Sequence, residues 1–265
     1  MRELDRLYRT EARGPSTRSP VDWRAPVSLV LALVIMTGLA VVVPGILPGS
    51  VRTRFGLSPR PPSSLVGSSG RGRYAFTAHQ PGSPEQPVTY DRCRWIRYVI
   101  NPAGGPPDSV KLVQDAVARV EEASGLRFQY AGKTTARPHW DSPVRPAIGP
   151  AEPVLVSWAR SDEVHQLSGN VAGIGGSVSI GALDGRLRYV TGGVTLDVSS
   201  FARLTAQLNG EPEERAIILH ELGHVVGLAH VSDPGELMSA KNVGRLDFGP
   251  GDLTGLAKLG SGPCY

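Results

Sequence analysis

The eleven residues His220–His230 constrain this chain more than any other stretch of its sequence. They read HELGHVVGLAH and contain three of the six histidines in the chain. In a helix, His220 and His224 lie one turn apart on the same face, so both imidazoles can bind one metal ion. Gly227 can adopt the positive φ that ends a helix, which allows His230 to turn back as a third ligand. The spacing therefore predicts a metal site with three histidine ligands.

The same motif predicts the chemistry of the site. Three protein ligands and one open position are typical of catalytic zinc, whereas structural zinc is usually closed by four protein ligands. Glu221 lies about 100° around the helix from His220, where its carboxylate can reach a water molecule at the metal but is poorly placed as a further ligand. A carboxylate in that position suits a general acid/base. The motif thus predicts a zinc-dependent endopeptidase.

These residues are similar to the signature of the metzincin zinc peptidases, H-E-x-x-H-x-x-G-x-x-H followed by a methionine turn. Met238 follows His230 by eight residues, which resembles the matrixin branch of that family. The resemblance is strongest over residues 94–260. It implies that Met238 forms an apolar floor beneath the histidines without binding the metal. The chain departs from animal matrixins at Val231, at the two residues after Met238 and in lacking a Pro-Arg-Cys-Gly latency motif, so substrate preference and latency are not carried over.

The resemblance also implies a fold. This is the α+β, metzincin-like zincin fold, a twisted mixed five-stranded sheet with about three helices. Apolar and alternating runs bounded by turn residues predict four of the strands, at Trp95–Ile100, Leu126–Tyr130, Val154–Trp158 and Gly193–Val198. One predicted helix ends at Gly125, the second carries the histidine motif, and the third begins near Asp252.

The fifth strand is expected in a Gly-rich segment. In metzincins the corresponding segment is an edge strand that an extended substrate joins by backbone hydrogen bonds. The resemblance therefore implies a substrate-binding edge at Val171, Ala172, Gly173, Ile174 and Gly175. The alternative is an ordinary Gly-rich strand and loop.

The N-terminal third predicts a membrane anchor and a tether. Residues 1–26 are polar and resemble a cytoplasmic tail, and Val27–Leu47 is an uncharged, mostly apolar run of 21 residues, long enough to cross a bilayer. Residues 48–90 are rich in Pro, Gly and Ser, which predicts a disordered linker before a peptidase domain at residues 91–265. We expect a single-pass membrane protein with an extracellular catalytic domain. The alternative is a secreted enzyme released by cleavage of a signal peptide.

The two cysteines, Cys93 and Cys264, bracket the predicted catalytic domain. In an exported protein they are expected to form a disulfide that closes a loop of about 170 residues. Two alternatives stay open at this point. Cys93 could instead supply a thiolate that caps the zinc, or both residues are free thiols if the domain faces the cytoplasm.

Charge and composition narrow the range of partners. The net charge of +4 comes from scattered arginines with only four lysines, without a basic stripe interleaved with aromatic residues, so nucleic-acid binding is not expected. The expected partners are a protein or peptide substrate, one zinc ion and the membrane. A structural calcium ion is compatible with the sequence, but no carboxylate cluster requires it, and no oligomeric state is indicated. The alternative function is a zinc-stabilised, catalytically silent binding module, against which the presence of Glu221 argues.

Overall fold

The computed structural model describes residues 67–68, 72–140, 151–182, 185–241 and 244–265, which contain four α-helices and eleven β-strands. The helices are α1 (Ser109–Ser124), α2 (Val198–Thr205), α3 (Gly210–Val226) and α4 (Pro250–Gly260). The strands are β1 (Gly67–Ser68), β2 (Arg73–Phe76), β3 (His79–Gln80), β4 (Ser83–Pro87), β5 (Thr89–Tyr90), β6 (Trp95–Asn101), β7 (Arg127–Lys133), β8 (Val154–Ala159), β9 (Gly173–Gly181), β10 (Leu187–Asp197) and β11 (Leu228–Ala229).

A mixed six-stranded sheet carries the fold. Its order is β7-β6-β8-β10-β9. The short β5 also pairs with β10, along its first residues, before the part of β10 that pairs with β8. Every neighbouring pair is parallel except β9 and β10, which are antiparallel. Within the described residues β9 pairs with β10 alone, so β9, like β7 and the short β5, has one side without a partner strand.

The core lies between one face of this sheet and the helices. Along β6 the side chains alternate, so that Ile96, Tyr98 and Ile100 are buried while Trp95 and Arg97 are exposed. The buried stripe of α1 follows helical spacing and joins the same hydrophobic cluster as the buried side chains of β6 and α3. Helix α3 is thereby fixed beneath β9 and β10, where it contacts both strands.

The segment before β6 is not a free linker. Strand β2 pairs with β1 and β11 in a second, antiparallel sheet, β3 and β4 form a hairpin, and β5 joins the main sheet. Val88 and Tyr90 are buried in the main core. The predicted start of the folded domain at residue 91 is therefore wrong for residues 72–90. This Pro- and Gly-rich segment is too poor in apolar residues to fold alone, but it gains order by pairing with later strands.

The helix and strand counts also differ from the expectation of five strands and about three helices. All five expected strands are present, and the sixth is the two-residue β5. The unexpected helix is α2, which begins at Val198, a residue predicted to end a strand. Asp197 causes this change because its carboxylate accepts a hydrogen bond from the Ser200 N–H at 2.7 Å and caps the helix.

Two further expectations concern the cysteine pair and the N-terminal part of the chain. Cys93 and Cys264 form a disulfide, with their Cα atoms 5.3 Å apart, which ties the turn before β6 to the chain after α4. Among the described residues, no helix has both the length and the apolar character needed to cross a bilayer. The predicted membrane segment Val27–Leu47 lies outside those residues, as do the cytoplasmic tail and residues 48–66 of the linker.

Candidate metal centre

The three histidines of the motif converge at the C-terminal end of α3. The Nε2 atom of His230 lies 2.9 Å from the Nε2 atom of His220 and 3.1 Å from the Nε2 atom of His224. His220 and His224 project from successive turns of α3, as the four-residue spacing predicts. His230 is exposed to solvent and the other two are partly buried, so the cluster opens to the surface on one side.

His230 reaches this cluster because the chain reverses after α3. Gly227 has a φ of 123°, which few residues other than glycine adopt, and it ends the helix. The following strand, β11, pairs with β2 in the register Leu228↔Phe76 and Ala229↔Ala75. The Thr77 hydroxyl further anchors the turn by donating to the Leu228 carbonyl at 2.9 Å. His230 is thus placed by the N-terminal segment that the sequence interpretation assigned to a linker.

Backbone carbonyls set the orientation of two imidazoles. Nδ1 of His220 lies 2.8 Å from the Leu237 carbonyl, and Nδ1 of His224 lies 2.8 Å from the Leu228 carbonyl. A carbonyl only accepts hydrogen bonds, so each Nδ1 carries the proton and each Nε2 presents a lone pair to the cluster. Burial lowers the pKa of His220 to about 4 and the pKa of His224 to about 3. Both rings are therefore neutral near pH 7, the state that binds metal.

This donor set fits a zinc ion. Two nitrogen ligands of a tetrahedral zinc, each at about 2.0–2.1 Å, lie about 3.3 Å apart, close to the separations of the Nε2 atoms here. Converging lone pairs repel one another unless a cation lies between them. The residues that would hold the ion are His220, His224 and His230.

Glu221 is buried against the edge strand β9. Its side chain is 7% exposed, and burial raises the pKa of its carboxyl to about 8. A β-carbon on Gly173 would lie 2.8 Å from the Glu221 Cγ, and one on Gly175 would lie 2.2 Å from the Glu221 carbonyl oxygen. Glycine at these two positions therefore lets the strand approach the helix closely enough to confine Glu221.

This contact gives a structural reason for the Gly-rich sequence of the predicted substrate edge. Gly173, Ile174 and Gly175 belong to β9, whereas Val171 and Ala172 precede it and the Ala172 carbonyl accepts a hydrogen bond from the Asp197 N–H. Binding of a substrate along this strand stays a prediction.

Met238 lies beneath the histidine-bearing helix. It is 1% exposed, and a β-carbon on Gly223, between the first two histidines, would meet the Met238 sulfur at 2.6 Å. The glycine in the motif thus leaves room for the thioether. Met238 is thus in contact with the helix that carries His220 and His224. Its role as a floor that does not bind the metal stays a prediction.

Two buried carboxylates hold the Met238 turn, and the sequence interpretation missed this role. Glu236 accepts hydrogen bonds from the N–H groups of Gly251 and Asp252 at the start of α4. Asp252 in turn accepts hydrogen bonds from the N–H groups of Leu237, Met238 and Gly249.

The two buried carboxylates, Glu236 and Asp252, affect the histidine cluster through the Leu237 carbonyl. Leu237, whose N–H bonds to Asp252 at 2.6 Å, presents its carbonyl to His220. Asp252, the third residue of α4, was recognisable from the sequence as a helix-capping residue. The burial of Glu236, which is 1% exposed, has no local sequence signal because it depends on contact with α4.

Comparisons with known proteins leave the family open. No protein-family model and no curated protein matches the chain. Among solved structures, the chain is similar to a chain of "GM1 bound form of the ECX AB5 holotoxin", with a TM-score of 0.35 and 14% sequence identity over 63% of this chain and 82% of that chain. A likeness at this TM-score carries no argument about fold or function.

Proposed function

We propose that this protein is a zinc-dependent endopeptidase with a metzincin-type catalytic domain. The observation that carries the proposal is the convergence of three imidazoles, from His220, His224 and His230, next to the buried carboxyl of Glu221. A purely structural zinc site has a fourth protein ligand, and the described residues bring no fourth His, Cys, Asp or Glu donor to this cluster.

The proposed reaction uses the residues as follows. Zinc held by the histidines would activate a water molecule and polarise the carbonyl of the scissile peptide. Glu221 accepts a proton from that water and donates it to the nitrogen of the leaving amine. Without an ion, burial keeps the pKa of Glu221 at about 8. A dication held by the neighbouring histidines would favour the charged carboxylate, which is the form of Glu221 that accepts a proton.

The substrate is proposed to be an extended polypeptide. Within the described residues β9 offers one edge without a partner strand, and a peptide can add to such an edge by backbone hydrogen bonds. The proposed location is outside the cell, tethered by Val27–Leu47 or released after its cleavage. The disulfide between Cys93 and Cys264 supports an oxidising compartment.

The test is hydrolysis of a broad peptide library by the purified full chain, with zinc quantified in the same samples. We expect about one zinc per chain and a loss of activity of about 10²-fold or more in Glu221→Gln, with zinc retained. Glu213→Gln is the matched control, since Glu213 lies exposed in the first turn of the same helix. Zinc bound equally by a folded wild type and Glu221→Gln, with no cleavage by either, would overturn the proposal and favour the binding module.

A further inference from the structure

A basic patch lies on the outer face of the main sheet, on the side away from the helices. It consists of Trp95 and Arg97 of β6, Arg127 of β7, and Arg92 and Arg94 in the turn before β6. All five residues are exposed. Strand pairing sets Trp95 directly beside Arg127, so residues more than thirty positions apart form one surface. The patch was not evident from the sequence because it depends on this pairing.

The central side chains of the basic patch are held in place. The Arg127 guanidinium lies over the Trp95 ring, 5.0 Å from its centroid, and its Nη2 donates to the Cys93 carbonyl at 2.7 Å. Trp95 nevertheless remains 55% exposed. An ordered tryptophan with an arginine on one side and solvent on the other is suited to binding at a polar–apolar boundary.

The charge of the patch is largely uncompensated. Within the described part of the chain, Arg92, Arg97 and Arg127 form no ion pair, and Arg94 pairs only with Asp91, at 3.2 Å, with its side chain 74% exposed. The patch thus presents a net positive charge around one tryptophan. The basic patch is therefore complementary in charge to a negatively charged surface.

We propose that the basic patch docks onto an anionic lipid membrane. Tryptophan favours the membrane–water interface, and arginines near the surface are attracted by anionic headgroups. In the sequence, only 19 residues separate Leu47, the end of the apolar segment, from the first described residue, Gly67.

A single-stranded nucleic acid is the competing occupant, and the geometry of Trp95 argues against it. Sequence-tolerant binding of this kind requires an aromatic face on which a base can stack. Arg127 covers one face of the Trp95 ring, and no second aromatic residue belongs to the patch, so the patch offers at most one stacking face and cannot stack successive bases. Docking onto a membrane requires only one exposed tryptophan and the positive charges.

The test uses the full chain in vesicles of phosphatidylcholine alone or of phosphatidylcholine with phosphatidylserine. The difference in fluorescence between wild type and Trp95→Phe isolates the Trp95 signal. We expect acyl-chain-brominated lipid to quench Trp95 in the anionic vesicles and iodide in solution to quench it in the neutral ones. Arg97→Gln and Arg127→Gln should each lower the ratio of docked to undocked protein about fivefold, and added salt should act in the same direction.

Arg160→Gln is the control, because Arg160 is also exposed and unpaired in the described structure but follows the opposite end of β8. It should leave the quenching unchanged. Equal quenching of Trp95 by iodide in both kinds of vesicle would overturn the proposal, as would stronger protection of Trp95 by a single-stranded oligonucleotide than by anionic vesicles. The readout needs no peptidase activity, so the docking proposal and the peptidase proposal fail separately.

Discussion

The two halves of the candidate metal centre are built in different ways. Helix α3 supplies His220, Glu221 and His224 by local helical spacing, so these groups meet wherever the helix forms. The segment 228–240, which supplies His230 and Met238, depends on distant parts of the chain: β2 pairs with β11, and Glu236 and Asp252 bind the turn to α4. One part of the site is thus determined by local helical spacing, and the other part depends on tertiary contacts.

The largest effect is expected when the carboxylate that holds the turn is removed. Asp252→Ala leaves the buried N–H groups of Leu237, Met238 and Gly249 without their acceptor. Buried donors without partners cost about 1–3 kcal/mol each, so we expect the free energy of unfolding to fall by about 3 kcal/mol or more in denaturant titrations. Asp162→Ala, at an exposed position, should change it by less than about 0.5 kcal/mol. A similarly small change for Asp252→Ala would show that the turn does not need α4.

Features that depend on local spacing could be predicted from the sequence, whereas features that depend on contacts between distant residues could not. The positions of His220, Glu221 and His224 follow from short-range spacing on one helix, and four of the expected strands follow from local patterning. The fifth strand and the place of Met238 were implied by the family resemblance. Glu236 is buried by contact with distant residues, Gly72 and the start of α4. Strands β2 and β5 form only by pairing with β11 and β10, and the basic patch exists only because β6 and β7 are neighbours.

Titration of Asp252 should make the free energy of unfolding depend on pH. Burial raises the pKa of Asp252 from its ordinary 3.8 to about 6, so between about pH 4 and pH 6 the folded protein keeps a proton that the unfolded chain releases. The contribution of Asp252 to stability therefore falls as pH rises through this window, by up to about 3 kcal/mol.

The measurement is the difference in the free energy of unfolding between wild type and Asp252→Asn, which does not titrate, across this pH range. Wild type should lose stability relative to Asp252→Asn as the pH rises. A difference that is flat, or that grows in favour of wild type with rising pH, would contradict the raised pKa.

The smallest expected effect concerns the contact between β9 and the helix. Gly173→Ala places a β-carbon 2.8 Å from the Glu221 Cγ, so the carboxylate must shift while the histidines keep their positions. We expect kcat to fall about tenfold, as misplacement of a catalytic group by a fraction of an ångström can cause, with the zinc content unchanged. Gly176→Ala is the control, because its β-carbon would meet Trp140 at an ordinary 3.6 Å. Equal activity of the two variants would show that β9 does not confine Glu221.

We propose that three histidines hold one zinc ion and leave a coordination position free for catalysis. X-ray absorption at the zinc edge of the full chain measures this coordination. We expect three imidazole nitrogens and one exchangeable oxygen, each at about 2.0–2.1 Å, with an imidazole lost in His230→Ala. A sulfur ligand, a fourth protein ligand, or an unchanged spectrum in His230→Ala would contradict it.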